Sequence, residues 1–306
     1  MTSYSAIIPC LNEEENIPEA YQRINDALTP YTDFEMIFID DGSSDATLEN
    51  IKEIAQRDAR VKYISFSKNF GLEAAFRAGF KYAAKDWCIQ FDADLQSPPE
   101  EVYKLIDKAQ EGYDVVFGIR RGRKDSLTRR LGSKLQQLIA KHLFRINLPI
   151  GASVYRLVRT SVAKKIIRVP TSAPYFIATV PLVTRRYTTV ETSHSRRRRG
   201  KSSWRIARLI AHSFDLFFGF SYIPLVFLWF LLLVGCLISL VIIATGIAGH
   251  DLSGFFPTGY FLSQLLILLA CAILGEYLRR MIQIQLGVGK FIVLESNILI
   301  SDEDSF

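Results

Sequence analysis

Two carboxylates and a carboxamide close the stretch Ile89–Gln96, each separated from the next by one residue. In an extended segment this spacing places Asp92, Asp94 and Gln96 on one side of the backbone. Three oxygen donors on one side suit a hard divalent cation, because Mg²⁺ takes one or two carboxylates and completes its octahedron with water and substrate phosphates. The stretch therefore predicts a metal-diphosphate site. An acidic turn after a strand would show the same residues, and the stretch alone fits both interpretations.

Strands and helices alternate over residues 3–118, and these elements must position the acidic stretch. The β-rich runs are Tyr4–Ile8, Phe34–Ile39, Val61–Ser65, Trp87–Phe91 and Val115–Gly118. Helical patterns lie between them, near 17–28, 46–57, 72–84 and 99–110. Such alternation predicts an α/β fold with a doubly wound parallel sheet.

Polar residues follow four of these strands, at the edge where ligands of such sheets bind. The groups are Pro9 with Asn12 and Glu13, then Asp40–Asp45, then Asp92–Gln96, then Arg120 and Arg121. Their convergence on one crevice favours the metal-diphosphate interpretation over a simple turn.

The pattern is less regular over residues 121–200. It predicts a helix near 127–144, a strand at 153–158, a helix near 161–168 and a strand near 187–193. Residues 202–221 place apolar side chains on one helical face and charged ones on another, which predicts an amphipathic helix at a bilayer interface. The acidic tail Asp302–Asp304 is expected to be disordered.

Two long stretches contain no Asp, Glu, Lys, Arg or His, Leu216–Gly249 and Leu252–Gly275. Each exceeds the roughly 20 apolar residues that a bilayer-spanning helix needs. They predict transmembrane helices at roughly 222–247 and 256–277, and this length disfavours the alternative of two buried core helices.

Basic residues flank this pair, with Arg196–Arg199 before it and Arg279 and Arg280 after it, whereas residues 249–251 contain no Lys or Arg. By the positive-inside rule, both chain ends are expected in the cytoplasm. The start of the chain has three consecutive glutamates at 13–15 and no long apolar region, so no signal peptide is expected. The predicted organisation is a cytoplasmic domain at 1–201, an interfacial helix at 202–221, a two-helix membrane region at 222–282 and a cytoplasmic tail at 283–306.

The net charge of +6 comes with basic residues concentrated beside the membrane segment. This distribution favours anionic headgroups or phosphates over nucleic acid, for which no aromatic-basic motif is present. The four cysteines form no CxxC pair and are expected to be buried thiols in a reducing compartment.

With these residues assembled, the chain resembles the polyprenyl-phosphate glycosyltransferases of glycosyltransferase family 2, which include dolichol-phosphate mannosyltransferase and bactoprenol glucosyltransferases. The matching stretches are IIPCLNEEENI (7–17), IDDGSSDAT (39–47), SKNFGLEAAFRAGF (67–80), FDADLQSPPE (91–100), FGIRRGR (117–123), HSRRRRGKS (194–202) and LGEYLRR (274–280). The resemblance implies a GT-A type fold with a mostly parallel sheet.

The resemblance also implies roles for the residues that match family motifs. Asp40 and Asp41 match the pair that reads the nucleotide base and ribose, although a structural Asx turn fits them as well. Pro9, Asn12 and Glu13 match the loop that lines the nucleotide. Lys68 resembles the loop beside it, where a plain turn is the alternative. Asp92, Asp94 and Gln96 match the metal-diphosphate site, which implies Mg²⁺ or Mn²⁺.

Basic and hydroxyl side chains are implied to hold the lipid phosphate. Arg120, Arg129 and Ser133 stand at the matching places, and Arg197 matches an arginine near the diphosphate. The catalytic roles are assigned to Asp94, Arg129 and Arg197. The neighbouring arginines at 196, 198 and 199 compete with Arg197, since any of them could simply face the membrane.

One position departs from the family pattern. Many relatives carry an aspartate just before a glycine that precedes an aromatic-Arg-Leu run, but Ile150 stands there in this chain, before Gly151. A catalytic base is not required if the acceptor is a phosphate monoester, because its second pKa of about 6 leaves it mostly dianionic at neutral pH.

The implied activity is inverting transfer of a sugar from a nucleotide-sugar, UDP-glucose or a related UDP-hexose, to undecaprenyl phosphate at the cytoplasmic face of a bacterial inner membrane. The alternatives are a GDP-mannose-dependent mannosyltransferase, a processive polysaccharide synthase and a non-catalytic membrane scaffold. A homo-oligomer is expected, and a flippase partner is implied by family analogy alone.

Overall fold

The structure is a computed structural model that describes residues 2–120, 152–171, 175–193, 214–247, 255–285, 291–301 and 304. Its strands are β1 (Tyr4–Cys10), β2 (Phe34–Asp40), β3 (Val61–Phe66), β4 (Trp87–Gln90), β5 (Val115–Arg120), β6 (Ala152–Arg159), β7 (Tyr187–Thr192) and β8 (Val293–Ser296). Its helices are α1 (Ile17–Leu28), α2 (Thr47–Arg57), α3 (Leu72–Tyr82), α4 (Val102–Gln110), α5 (Thr160–Ile166), α6 (Phe176–Val183), α7 (Ile223–Ile247) and α8 (Phe255–Gln285).

The described strands form one sheet in the order β7-β5-β6-β4-β1-β2-β3-β8. Neighbouring strands β4, β1, β2 and β3 are parallel, and β7 is parallel to β5. Strand β6 runs antiparallel to both of its neighbours, and β8 runs antiparallel to β3. Six strands therefore point the same way, so the expected mostly parallel GT-A type sheet is confirmed, and the carboxyl ends of β1, β2, β4 and β5 share one edge.

Helices cover both faces of the sheet, because its central strands are apolar on both sides. All seven residues of β2 are buried. On one face, α1 contributes residues spaced three or four apart, Ile17, Ala20, Ile24 and Leu28, as expected for an amphipathic helix. On the other face α3, α5 and α6 pack over the alternate strand residues. Burial of both faces fixes the register of the strands and hence the position of their ends.

The later elements agree only partly with the sequence pattern. The predicted strands at 153–158 and 187–193 and the helix near 161–168 correspond to β6, β7 and α5, whereas the predicted helix near 127–144 lies outside the described residues. Helix α6 was not predicted, because its sequence is apolar throughout and contains Pro181, so it shows no helical periodicity.

Strand β8 was not predicted either, and the expectation of a disordered acidic tail is wrong at Asp304. That side chain accepts hydrogen bonds from Lys81 Nζ and from the Tyr82 hydroxyl, the latter at 2.6 Å. The Asp304 carbonyl oxygen also accepts the Val293 N–H at 2.8 Å. These contacts attach the segment after the second apolar helix to the end of α3.

Helices α7 and α8 pack against each other through Leu228, Leu231 and Ala270. The stretches Ile223–Gly246 and Gly259–Gln285 are long and apolar enough to cross a membrane, and only 17% of each window is buried. Core helices would be mostly buried, so the alternative of two core helices does not fit. Of the predicted amphipathic helix at 202–221, the described part 214–220 is helical.

A buried carboxylate holds together the strands on the β7 side of the sheet. Asp114 accepts hydrogen bonds from Arg186 Nη2 at 2.7 Å, Thr184 Oγ1 at 2.9 Å and Arg159 Nε at 3.1 Å. The hydrogen bonds from Arg186 are the main cause that lowers the pKa of Asp114 to about 2. Because the pKa is lower in the folded state, the network stabilises the fold above the ordinary carboxyl pKa and loses this contribution as the pH falls toward 2.

We expect Asp114→Asn to lower the free energy of unfolding by about 2 kcal/mol at pH 7. The difference from wild type should shrink as the pH falls from about 5 toward 2, because the wild-type carboxylate is then protonated. Chemical unfolding in detergent, followed by tryptophan fluorescence, measures both. Replacing the exposed Asp107 by Asn is the control, and a difference that does not depend on pH would contradict the assignment.

Candidate active site

The loops after β1 and β2 are joined by hydrogen bonds at the carboxyl edge of the sheet. Asn12 has a positive φ of 53°, and its N–H donates to Ser43 Oγ at 3.0 Å. The Asn12 side-chain oxygen accepts the Ser44 N–H at 2.9 Å, and the Glu13 N–H donates to Thr47 Oγ1 at 2.8 Å. Pro9 lies beside Ile39 in the strand register. The structure thus brings the predicted residues of the two loops together.

Asp40 and Asp41 are both buried, and both organise the loops around them. Asp40 accepts the Ser43 N–H at 3.0 Å and the Ser65 hydroxyl at 2.7 Å. Asp41 accepts the Phe70 N–H at 2.7 Å and the Gly71 N–H at 2.9 Å. Asp40 thus bonds locally to Ser43, as a turn would require, whereas Asp41 bonds to the loop after β3, and the role of the pair in reading the nucleotide stays a prediction.

Burial raises the pKa of the Asp41 carboxyl, and the two backbone N–H donors partly offset this effect. A buried carboxylate that accepts two N–H groups costs more to lose than an exposed one, because its removal leaves both donors unsatisfied. Asp41 therefore fixes the loop after β3.

That loop, residues 67–71, crosses directly over Gly42. Gly42 has a φ of 73°, and a Cβ at this position would lie 2.5 Å from the backbone carbonyl carbon of Lys68. Only glycine permits both this backbone conformation and this approach. Lys68 itself is exposed, with its ammonium 5.4 Å from the centroid of the Phe70 ring. The predicted residue Lys68 thus lies beside the Asp41 loop.

In the acidic stretch after β4, buried and partly exposed side chains alternate, in agreement with the predicted spacing. Strand β4 ends at Gln90, and the residues at 91, 93, 95 and 97 are buried while Asp92, Asp94 and Gln96 are partly exposed. A turn closes where the Leu95 N–H donates to the Asp92 carbonyl at 3.0 Å, with Leu95 at a φ of 53°. A positive φ at leucine is uncommon and marks a backbone held by its surroundings.

Asp92 and Asp94 each accept a hydrogen bond from a side chain of the same stretch. Asp92 accepts the Ser97 hydroxyl at 3.2 Å, and Asp94 accepts the Gln96 side-chain N–H₂ at 2.5 Å. Among the described residues no group of three or more His, Cys, Asp or Glu side chains could hold a metal by itself. The donor set here is two carboxylates on one turn, which fits Mg²⁺ or Mn²⁺ when substrate oxygens complete the coordination. Gln96 acts as a donor to Asp94, so its role as a metal ligand stays a prediction.

Sequence reasoning missed a buried arginine beside the end of β4. Arg156 on β6 is 2% exposed, its Nε donates to Gln90 Oε1, and its guanidinium carbon lies 3.8 Å from the centroid of the Phe176 ring. Burial lowers the pKa of Arg156 to about 10, and the charges of Glu73 and Asp92 oppose this effect. The available signal was a charged residue inside an otherwise buried strand, which requires a partner.

Several predicted residues cannot be placed. Arg129, Ser133, Arg197 and Ile150 lie outside the described residues. Arg120 ends β5, where its backbone pairs with Thr192 of β7. The implied lipid-phosphate site therefore stays a prediction.

Comparisons with known proteins identify the family and agree with the fold. The model of the family described as glycosyl transferase family 2 matches residues 5–167, more than half of the chain. An uncharacterized glycosyltransferase of Synechocystis is 31% identical over 285 residues, which cover 90% of each chain. The chain therefore belongs to glycosyl transferase family 2.

A second relative has a name that specifies its acceptor. The undecaprenyl-phosphate 4-deoxy-4-formamido-L-arabinose transferase of Pseudomonas aeruginosa is 32% identical over 289 residues, covering 90% of this chain and 85% of that protein. The resemblance to polyprenyl-phosphate members of the family is thereby confirmed. Among solved structures, glucosyl-3-phosphoglycerate synthase from Mycobacterium tuberculosis in complex with phosphoglyceric acid shares the fold, with a TM-score of 0.50, 18% identity and coverage of 71% of this chain and 78% of that chain.

The contact between Gly42 and the 67–71 loop gives a direct test of how the site is assembled. We expect Gly42→Ala to lower the free energy of unfolding by about 1–3 kcal/mol and to speed hydrogen exchange at the Phe70 and Gly71 amides. The control is Gly112→Ala, since Gly112 also has a positive φ, of 99°, but no atom within 4 Å of the added Cβ. Unchanged exchange in the loop of Gly42→Ala would contradict the described packing.

Proposed function

We propose that the chain transfers a sugar from a nucleotide-sugar, a UDP-hexose such as UDP-glucose, to a polyprenyl phosphate, with inversion at the sugar. The observation that carries the proposal is that two loops and the acidic turn lie at one sheet edge. The loop with Asn12 follows β1, the loop with Asp41 follows β2, and the turn with Asp92 and Asp94 follows β4. Such an edge suits a nucleoside at one end and a diphosphate at the other.

The proposed acceptor rests on two further observations. The relative from Pseudomonas aeruginosa is named for transfer to undecaprenyl phosphate. The chain also has two helices long and apolar enough to cross a membrane, which would hold the catalytic domain near a lipid substrate.

The chemistry is a single displacement. A phosphate oxygen of the acceptor attacks C1 of the sugar, the bond from C1 to the diphosphate breaks, and the products are the glycosylated polyprenyl phosphate and a nucleoside diphosphate. The acceptor needs no base, since its monoester phosphate is mostly dianionic at neutral pH. Replacement of the family aspartate by Ile150 is compatible with this reaction.

The chain's own residues would bind and orient the donor. Asp92 and Asp94 would hold Mg²⁺ or Mn²⁺, which supplies positive charge to the leaving diphosphate. Asp41 holds the 67–71 loop beside the proposed nucleotide site through its bonds to Phe70 and Gly71. Arg129, Ser133 and Arg197 are proposed to contact the phosphates, with Arg129 and Ser133 one helical turn apart if 127–144 is helical.

The proposed orientation places the catalytic domain in the cytoplasm. Two features support it. Strand β8 follows α8 yet pairs with β3, which precedes α7, so both ends of the helical pair lie on the side of the sheet. The flanks of the pair carry the basic residues, as the positive-inside rule requires for cytoplasmic segments.

The test is transfer of labelled sugar by the detergent-purified protein. UDP- and GDP-linked sugars are each offered with undecaprenyl phosphate, with and without EDTA. One lipid-extractable product that EDTA suppresses is expected, from a UDP-sugar. A product from GDP-mannose would identify the protein as a GDP-mannose-dependent mannosyltransferase. A ladder of products would indicate a processive polysaccharide synthase. Nucleotide binding without turnover would favour a non-catalytic membrane scaffold.

We expect Asp94→Ala to reduce transfer at least about 100-fold, because the leaving diphosphate loses its charge partner. The variant should still fractionate with membranes. Replacing the exposed Asp26 of α1 by Ala is the matched control and should leave transfer unchanged. An active Asp94→Ala enzyme would refute the proposed role.

A further inference from the structure

The segment after α8 lies outside the stretch that the family model matches, yet it is part of the catalytic sheet. Strand β8 pairs antiparallel with β3, with Ser65 opposite Glu295 and Phe66 opposite Val293. The register shifts between Ser65 and Phe66, and beyond this irregularity the Ser67 N–H donates to the Ile292 carbonyl at 3.0 Å. The pairing therefore continues up to the first residue of the 67–71 loop.

Phe291 is a buried side chain of this segment that packs beside the start of the loop, on Phe66. It is 6% exposed, and its ring stacks on Phe66 with the centroids 4.9 Å apart and an angle of 16° between the planes. Phe66 also contacts the Phe70 ring edge-to-face, with the centroids 5.8 Å apart. Phe70 in turn donates its N–H to Asp41. One continuous row of contacts thus runs from Phe291 to Asp41.

The loop itself has little else to hold it. Ser67, Lys68 and Asn69 are exposed, so they bury little apolar surface. Contacts that fix the loop include the Asp41 carboxylate, the Gly42 backbone, the packing of Phe70 on the core and the segment before β8. Loss of the contact with the segment before β8 would leave the loop more mobile without changing any residue that is proposed to face a ligand.

The far end of the segment is attached by several polar contacts. The Asn297 side chain accepts the Tyr63 N–H at 2.7 Å and donates to the Val61 carbonyl at 3.1 Å, so it continues the ladder beyond β8. Lys52 pairs with Glu295. Asp304 is bound by Lys81 and Tyr82. These contacts, made with β3 and with helices α2 and α3, keep β8 in its register.

We propose that the strand after the membrane helices positions the donor-nucleotide loop, and that Phe291 is a positioning residue for nucleotide binding. The inference rests on the proposed function, because the nucleotide is assigned to the loops of Asp41 and Lys68 there. Phe291 touches no substrate. It acts through Phe66 and Phe70 on the backbone that Asp41 holds.

The experiment compares two substitutions on the same segment of the full-length protein. Phe291→Ala removes the buried ring, whereas Leu294→Ala removes a side chain that is 61% exposed. For Phe291→Ala we expect the Kd for UDP and the KM for the donor sugar to rise about tenfold, from the cost of ordering the loop on binding. The kcat and the KM for polyprenyl phosphate should stay within about twofold, and Leu294→Ala should match wild type.

Two milder variants separate positioning from loss of folding. Phe291→Leu keeps buried apolar volume and should keep the Kd for UDP within about threefold of wild type. Asn297→Ala, at the far end of the pairing, should raise the Kd for UDP in the same direction by a smaller factor. A folded Asn297→Ala with weakened binding supports the proposal even if Phe291→Ala does not fold.

The results that overturn this inference differ from the results that overturn the proposed function. Phe291→Ala that binds UDP as wild type does, or that loses kcat at unchanged Kd, overturns the proposal. If wild type binds UDP or GDP but glycosylates no polyprenyl phosphate, the function proposed above fails, and the binding comparison still decides this inference. Wild type that binds neither UDP nor GDP overturns both.

Discussion

The hydrogen bonds from the Phe70 and Gly71 amides to the buried Asp41 carboxylate are the contact on which the rest of the site depends. The loops after β1, β2 and β3 are polar and largely exposed, so apolar burial cannot fix them. They are held instead by side chains that satisfy backbone donors, with Asn12 and Ser43 joining the first two loops. A sheet with buried faces sets where the strands end, and these bonds turn that edge into a site of defined shape.

Much of this arrangement was predictable, because the signals were local. Short β-rich runs and helical patterns over residues 3–118 gave five strands and four helices at nearly their observed bounds. The one-residue spacing of Asp92, Asp94 and Gln96 also predicted the side that they share. Strand β8 could not be found in this way, because its partner β3 lies more than 200 residues earlier in the chain. Arg156 was visible as a charge in a strand, but its contacts with Gln90 and Phe176 follow only from the fold.

The two apolar helices are connected to the same sheet that carries the candidate active site. The chain leaves the sheet after β7, forms the two apolar helices, and returns to add β8 beside β3. The domain is thus connected to the helical pair at both ends of the pair, and the returning segment packs against Phe66 below the 67–71 loop. The proposed lipid-phosphate acceptor and soluble nucleotide-sugar donor require a site that is fixed near a bilayer and still open to solvent. Two connections between the apolar helical pair and one sheet suit this requirement.

The most direct test of the account is the position of Mn²⁺ in crystals of the protein grown with UDP, located by anomalous scattering. The account predicts one ion about 2.1 Å from an Asp94 carboxylate oxygen and from oxygens of the diphosphate, as hard-cation coordination requires. It also predicts that the nucleoside lies against the loops of Asp41 and Lys68. Mn²⁺ bound away from Asp92 and Asp94, or UDP bound away from these loops, would contradict the central claim that the loops after β2 and β3 and the turn after β4 form one donor site.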